Sequence, residues 1–241
     1  MKRSLRILGI LILLPILSVG AVILYGTLTE YKPEPGSHTT ALQGQGEATG
    51  TLGDTLRLLN WNIGFGGLGA EMDFFYDGGK TVRAERELWD KDMAGIVATL
   101  RSADDIDLFL LQEVDIRSKR SYGVNQFDSL DRALVGFGSA FAVNYQVRFV
   151  PLPFTRPLGG VHSGVATYAR TTNHDALRHQ YPGSFPWPTR IFFLDRCVLV
   201  QTFRTESGKQ LVVMNTHNSA YDETGEIKAQ EMAMLDRKSV V

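Results

Sequence analysis

Three polar residues close apolar, strand-like runs, and their types could share one reaction. Asn62 ends Leu56-Arg-Leu-Leu-Asn-Trp, Glu113 follows Ile106-Asp-Leu-Phe-Leu-Leu-Gln, and His217 follows Leu211-Val-Val-Met-Asn-Thr. A carboxylate, an amide and an imidazole are all side chains able to bind a metal or a phosphate. An imidazole is the side chain best suited to exchange a proton or hydrogen bond near neutrality. Taken singly, each has a bland reading: Asn62 as a turn former, Glu113 as an exposed strand-end carboxylate, His217 as a structural histidine. Open sheets gather ligands at strand ends, so the three acquire meaning only as a set that converges.

The elements that must position them follow from periodicity. Leu56–Asn62 alternates as a strand, and Gly64-Phe-Gly-Gly-Leu-Gly69 stops it. Residues 85–101 carry Leu88, Trp89, Met93, Ile96, Val97 and Leu100 at helical spacing. The continuous apolar run from Ile106 to Leu111 suits a strand buried on both faces. Further strands are expected at Phe141–Tyr145, Gly164–Ala169 and Cys197–Phe203, the last paired through Ser207-Gly208 with Leu211–Asn215, and a helix over Glu223–Arg237. His174 and His179 are expected in a loop. The class is α/β with mixed strands in a layered sandwich flanked by helices.

Composition narrows the chemistry further. The 241 residues are 44% hydrophobic and 21% charged, which sets aside disordered, collagen-like and coiled-coil chains. With 25 Lys+Arg against 26 Asp+Glu the net charge is -1, so no global basic field concentrates nucleic acid. The one cysteine, Cys197, excludes an internal disulfide and a cysteine-rich zinc site. Two nucleotide-binding patterns fail on context. Gly64–Gly69 matches Gly-x-Gly-x-x-Gly but leads into another turn rather than an amphipathic helix, and Gly79-Lys-Thr81 has Phe74 where a P-loop needs its first glycine.

The N-terminus is a separate feature. Ile7 to Tyr25 is uncharged and preceded by Lys2, Arg3 and Arg6. A helix of that length spans roughly 28 Å, close to the hydrocarbon thickness of a bilayer. The basic flank predicts a cytoplasmic N-terminus and an extracytoplasmic remainder. A cleaved signal peptide is the competing reading, but more apolar residues follow Ser18-Val-Gly-Ala21, which favours a retained anchor. The expected divisions are a basic tail over 1–6, a transmembrane anchor over 7–26, a Gly/Pro/Gln-rich linker over 27–54 and a globular domain over 55–241.

Read together, Leu59-Asn-Trp-Asn-Ile-Gly64, Phe109-Leu-Leu-Gln-Glu-Val-Asp115, Ser163-Gly-Val-Ala-Thr-Tyr-Ala-Arg170 and Val212-Val-Met-Asn-Thr-His-Asn-Ser-Ala220 resemble the endonuclease/exonuclease/phosphatase superfamily. That group holds pancreatic-type deoxyribonucleases, abasic-site endonucleases, inositol polyphosphate 5-phosphatases and neutral sphingomyelinases. The resemblance implies a deoxyribonuclease-like, four-layered α/β sandwich with a divalent-metal site, Mg²⁺ or Mn²⁺, at one edge. It also implies Glu113 as metal ligand, Asn62 beside it at the metal, and His217 as the catalytic phosphate-contacting histidine. The family's Gly-Asp-x-Asn and C-terminal Asp-His motifs do not occur before residue 241, so the domain is expected to be C-terminally truncated and its chemistry impaired. Arg170, Arg196 and His162 are candidate substrate contacts. The expected activity is membrane-anchored hydrolysis of a phosphoester, by in-line attack of water on phosphorus, in a monomer. Nucleic acid, phospholipid and inositol phosphate remain open as substrates, and a non-catalytic extracytoplasmic binding module is the alternative.

Overall fold

The computed structural model describes residues 2–34, 36–40, 42–43, 50–171, 175–220 and 222–239. Its strands are β1 (Ser37–Thr39), β2 (Leu42–Gln43), β3 (Leu58–Asn62), β4 (Leu108–Asp115), β5 (Gly138–Val150), β6 (Gly159–Ala169), β7 (Ala176–Gln180), β8 (Cys197–Arg204) and β9 (Gln210–Thr216). Its helices are α1 (Lys2–Leu28), α2 (Arg86–Ser102), α3 (Gln126–Ala133) and α4 (Glu226–Ser239). The strands form two sheets, one ordered β2-β5-β6-β4-β3 and the other β1-β7-β8-β9. β3 and β4 are parallel, with α2 as the crossover between them, and every other pairing of named strands is antiparallel.

The period of two along β4 explains the layering. Phe109 and Leu111 pack with Trp89, Met93, Ile96 and Leu100 of α2 and with Phe127 and Leu130 of α3. Leu108 and Leu110 point the other way and pack with Phe203 of β8 and Val213 of β9. A strand buried on both faces must read as an unbroken apolar run, which is how 108–111 reads. Small side chains let the two sheets approach further along, where Ala140, Ala142 and Val165 meet Ala176, Cys197 and Leu199. The result is a mixed α/β sandwich with helices on the outer face of the five-stranded sheet.

Two segments differ from the sequence reading. Within the expected linker, β1 pairs with β7 and β2 with β5, and Leu52 is buried and bridges to Thr205. Both sheets would otherwise present an open edge there, and backbone pairing satisfies it. His179 is a buried residue of β7 rather than part of a loop, while His174 lies outside the described residues. β7 hides its polarity by internal bonds: its Arg178 donates from Nε to the Val143 carbonyl at 2.8 Å and from Nη2 to the Asp195 carbonyl at 3.0 Å. α1 is long and apolar enough to cross a membrane by length and composition.

Candidate active site

The site is the open end of the layer between the two sheets, and strand parity puts it there. Asn60 and Asn62 on β3, Leu110 and Gln112 on β4, and Val213 and Asn215 on β9 share that inter-sheet layer, and His217 follows two residues beyond Asn215. The layer therefore grades from leucine and valine, through amides, to ionisable groups at its mouth. The amides tie the sheets together. Gln112 Nε2 donates to Asn60 Oδ1 at 2.8 Å and to Asn215 Oδ1 at 2.7 Å, and Asn215 Nδ2 donates to the Ala166 carbonyl at 2.8 Å. These buried groups are thus satisfied, and the Gln-Glu and Asn-Thr-His motifs are joined one step behind the residues that face the cleft.

Glu113 reaches the mouth by a backbone device. The β4–β6 register shifts between Leu111 and Val114, and Glu113 itself has φ 54°. A bulge inserts one residue into a ladder and re-aims its side chain, while Val114 returns to the helix-facing core. A left-handed glutamate costs of order 1–3 kcal/mol, and such strain clusters at functional positions. Gly164 on β6 permits the neighbouring close approach, since a Cβ there would lie 2.2 Å from the Ala142 carbonyl oxygen.

At the mouth, Asn62 Nδ2 donates to Glu113 Oε1 at 2.9 Å, and Asn62 Oδ1 accepts the Gly64 N–H at 3.0 Å. Asn62 thereby holds one Glu113 carboxylate oxygen in place. His217 Nε2 lies 3.7 Å from the same Glu113 Oε1. Burial lowers the pKa of His217, Arg196 lowers it further and Glu113 partly opposes them, so the imidazole is neutral near pH 7. Arg196, itself buried, donates from Nη1 to the His217 carbonyl at 2.5 Å and fixes the strand end.

These four residues line a cleft of about 320 Å³. Sequence reading missed several others that line it: Arg120, Asn144, Tyr145, Ser163, and apolar walls that include Phe65 and Phe192. Arg120 forms a buried 2.9 Å ion pair with Asp115 and stacks its guanidinium 3.9 Å from the Phe65 ring centroid. The Asn144 amide nitrogen and His217 Nδ1 are buried, with no hydrogen-bond partner among the described residues. Ser163 was visible within the quoted strand motif, but nothing local marks Arg120 or Asn144.

Two expected substrate contacts are elsewhere. Arg170 sits at the far end of the sandwich, where Nε donates to the Ile106 carbonyl at 2.7 Å, Nη2 donates to the Asp104 carbonyl, and the guanidinium covers Phe137. It closes the β4–β6 end rather than the cleft, because β6 runs antiparallel to β4 and carries its last residue away from Glu113. His162 neighbours Ser163 but is not among the residues lining the cleft, as expected for the opposite parity on β6.

Among the described residues no group of three or more His, Cys, Asp or Glu side chains could hold a metal ion. One carboxylate oxygen beside a fixed amide and a neutral imidazole still fits Mg²⁺ or Mn²⁺, ions that take most of their ligands from water and phosphate oxygens.

Comparison with known proteins gives a consistent family. The family described as Endonuclease/Exonuclease/phosphatase matches residues 59–240 of the chain. No curated protein matches. Two solved structures share the fold: an endonuclease/exonuclease/phosphatase from Beutenbergia cavernae (TM-score 0.51, 21% identity, covering 74% of this chain and 42% of that one) and ANGEL2, a 2',3'-cyclic phosphatase (TM-score 0.50, 16% identity, covering 82% and 49%). The chain therefore spans less than half the length of either.

Proposed function

Because the chain belongs to the endonuclease/exonuclease/phosphatase family, whose members are hydrolases acting on phosphoesters, we propose that the Glu113 cleft hydrolyses a phosphoester with a bound divalent cation, Mg²⁺ or Mn²⁺. The observation that carries this reading is the meeting of Asn62, Glu113 and His217, from three strand ends, at 2.9 and 3.7 Å around one carboxylate oxygen. Glu113, with Asn62 beside it, would hold such a cation, which when bound would supply charge neutralisation for the phosphoryl and leaving oxygens.

The chain's own residues do the rest. Asn62 keeps Glu113 from swinging, so the ligand is preorganised rather than recruited. His217 stays neutral and offers an N–H to a phosphoryl oxygen as negative charge builds there. Arg196 places a positive charge at the cleft, where Arg120 is neutralised by Asp115, and Phe65 and Phe192 give part of the cleft an apolar wall. We propose further that α1 anchors the chain in a membrane with the α/β domain outside the cytoplasm, a reading supported by Lys2, Arg3 and Arg6 before the apolar run. Protease access in sealed vesicles tests that orientation.

The activity test is Mg²⁺-dependent hydrolysis of bis-p-nitrophenyl phosphate by the chain in detergent. Chelation abolishes the rate and Glu113→Gln lowers it by about 100-fold or more, the scale of losing a transition-state electrostatic contact. A wild-type rate equal to buffer, with substrate still bound, favours the non-catalytic binding module instead.

A further inference from the structure

We propose that an apolar groove beside the cleft seats the acyl chains of a phospholipid, so that the site's substrate class is a membrane phospholipid; this rests on the phosphoester-hydrolase reading above. The groove, about 530 Å³, lies between Ser18, Val19, Val22 and Ile23 of α1 and the domain surface around Phe149 and Leu152. Three of its lining residues, Tyr76, Phe192 and Phe193, also line the catalytic cleft, so the two spaces adjoin at these side chains. A molecule lying along both would have an apolar tail in one and a phosphate in the other.

The wall formed by α1 identifies the occupant. Ser18 to Ile23 fall within the stretch able to cross a membrane, five to ten residues before its end at Leu28, which is about 8–15 Å below that end. The domain is docked to the helix rather than loosely tethered. Trp187 Nε1 donates to Thr27 Oγ1 at 3.1 Å, Arg190 pairs with Glu30 at 2.8 Å, and the Ile191 side chain lies 3.0 Å from a Cβ built on Gly26. If α1 enters a bilayer, the groove mouth enters with it. Leu152, Phe154 and Trp187 are exposed on the same side, with Phe154 at 76% exposure, a cost in water that a lipid interface removes. Phosphate at the boundary would then meet the Arg196 side of the cleft. A nucleic acid, hydrated and polyanionic, has no part that belongs in this groove, and the net charge of -1 gives it no attractive field.

The test uses the chain in phosphatidylcholine nanodiscs, with a trace of phosphatidylcholine bearing a photoactivatable diazirine on one acyl chain. Labelling is expected on the Phe149–Pro157 loop and on α1 near Val19, reduced at least fivefold both by Leu152→Glu with Phe154→Glu and by Val19→Trp, which fills the groove without adding charge. In parallel, the Leu152→Glu, Phe154→Glu variant is expected to lose at least tenfold in phospholipid hydrolysis while its rate on soluble bis-p-nitrophenyl phosphate stays within twofold of wild type. Labelling that ignores these variants, equal loss on both esters, or faster hydrolysis of a single-stranded DNA oligonucleotide than of phospholipid overturns the proposal. Groove labelling with no hydrolysis of any ester supports the acyl seat and overturns only the hydrolase reading, so the two failures are distinct.

Discussion

Replacing Asn215 by leucine removes the amide that joins the two sheets, and its cost can be worked from the bonds. Asn215 is buried, donates to the Ala166 carbonyl at 2.8 Å and accepts from Gln112 Nε2 at 2.7 Å. Gln112 Nε2 keeps its bonds to Asn60 at 2.8 Å and to the Leu110 carbonyl at 3.2 Å, so the main losses are its strongest acceptor and the side-chain donor to the Ala166 carbonyl. At about 1–3 kcal/mol for each unsatisfied buried group, the expected loss is roughly 2–4 kcal/mol. For a chain of this size that lowers Tm by about 5–15 °C. Because Asn215 and Gln112 stand immediately behind His217 and Glu113, the catalytic rate should also fall, by about 10–100-fold for a displacement approaching 1 Å. Urea unfolding of Gln112→Leu, Asn215→Leu and the double variant closes a cycle, in which a coupling of about 1–2 kcal/mol is expected. Losses below about 0.5 kcal/mol, or strictly additive ones, would refute the claim that this pair holds the sheets in register.

Three other outcomes rest on local geometry. Arg120→Met strands the fully buried Asp115 charge and should cost about 3–5 kcal/mol, whereas Arg120→Met with Asp115→Leu recovers most of it; chemical denaturation of both variants checks this. Gly66→Ala should destabilise by about 1–3 kcal/mol, because φ is +65° and the new Cβ would lie 2.3 Å from Met93 Sδ, while Gly78→Ala at φ +89° meets nothing and costs about 1 kcal/mol; thermal melts separate the two. Burial pushes the Asp195 carboxyl up to about 7, with Arg178 pulling it down and Glu30 adding to the rise. The folded state therefore binds this proton more tightly than the unfolded chain, so the stabilisation is full at acid pH and is lost as pH rises from about 4 through 7. Asp195→Asn should flatten that part of the stability profile relative to wild type, and matched urea titrations at pH 5 and pH 8 that show no such difference contradict the assignment.

The residues legible in the sequence were those where one rule acts alone. The unbroken run before Glu113 announced a strand buried on both faces, and the polar residues closing three such runs marked Asn62, Glu113 and His217 as neighbours in the cleft. The bulge that aims Glu113 left no trace, because a left-handed glutamate is imposed by the surrounding sheet rather than chosen by the residue. β7 was missed because Arg178 and His179 read as solvent-facing, whereas β5 and Asp195 supply acceptors that allow the arginine inside. β1 and β2 were hidden in a Gly- and Pro-rich stretch, since edge pairing needs only backbone groups. Arg120 enters the site through a partner five residues away and a ring on a distant loop, and no local pattern encodes that meeting.

The central claim is that Glu113, steadied by Asn62 and beside His217, holds the cation that serves phosphoester hydrolysis. Crystals of the chain soaked in Mn²⁺ and recorded at an energy where manganese scatters anomalously test it directly. The account predicts one strong peak about 2.1 Å from Glu113 Oε2 that disappears in Glu113→Gln. Peaks only at other carboxylates, or a peak in the cleft that persists in Glu113→Gln, would contradict it.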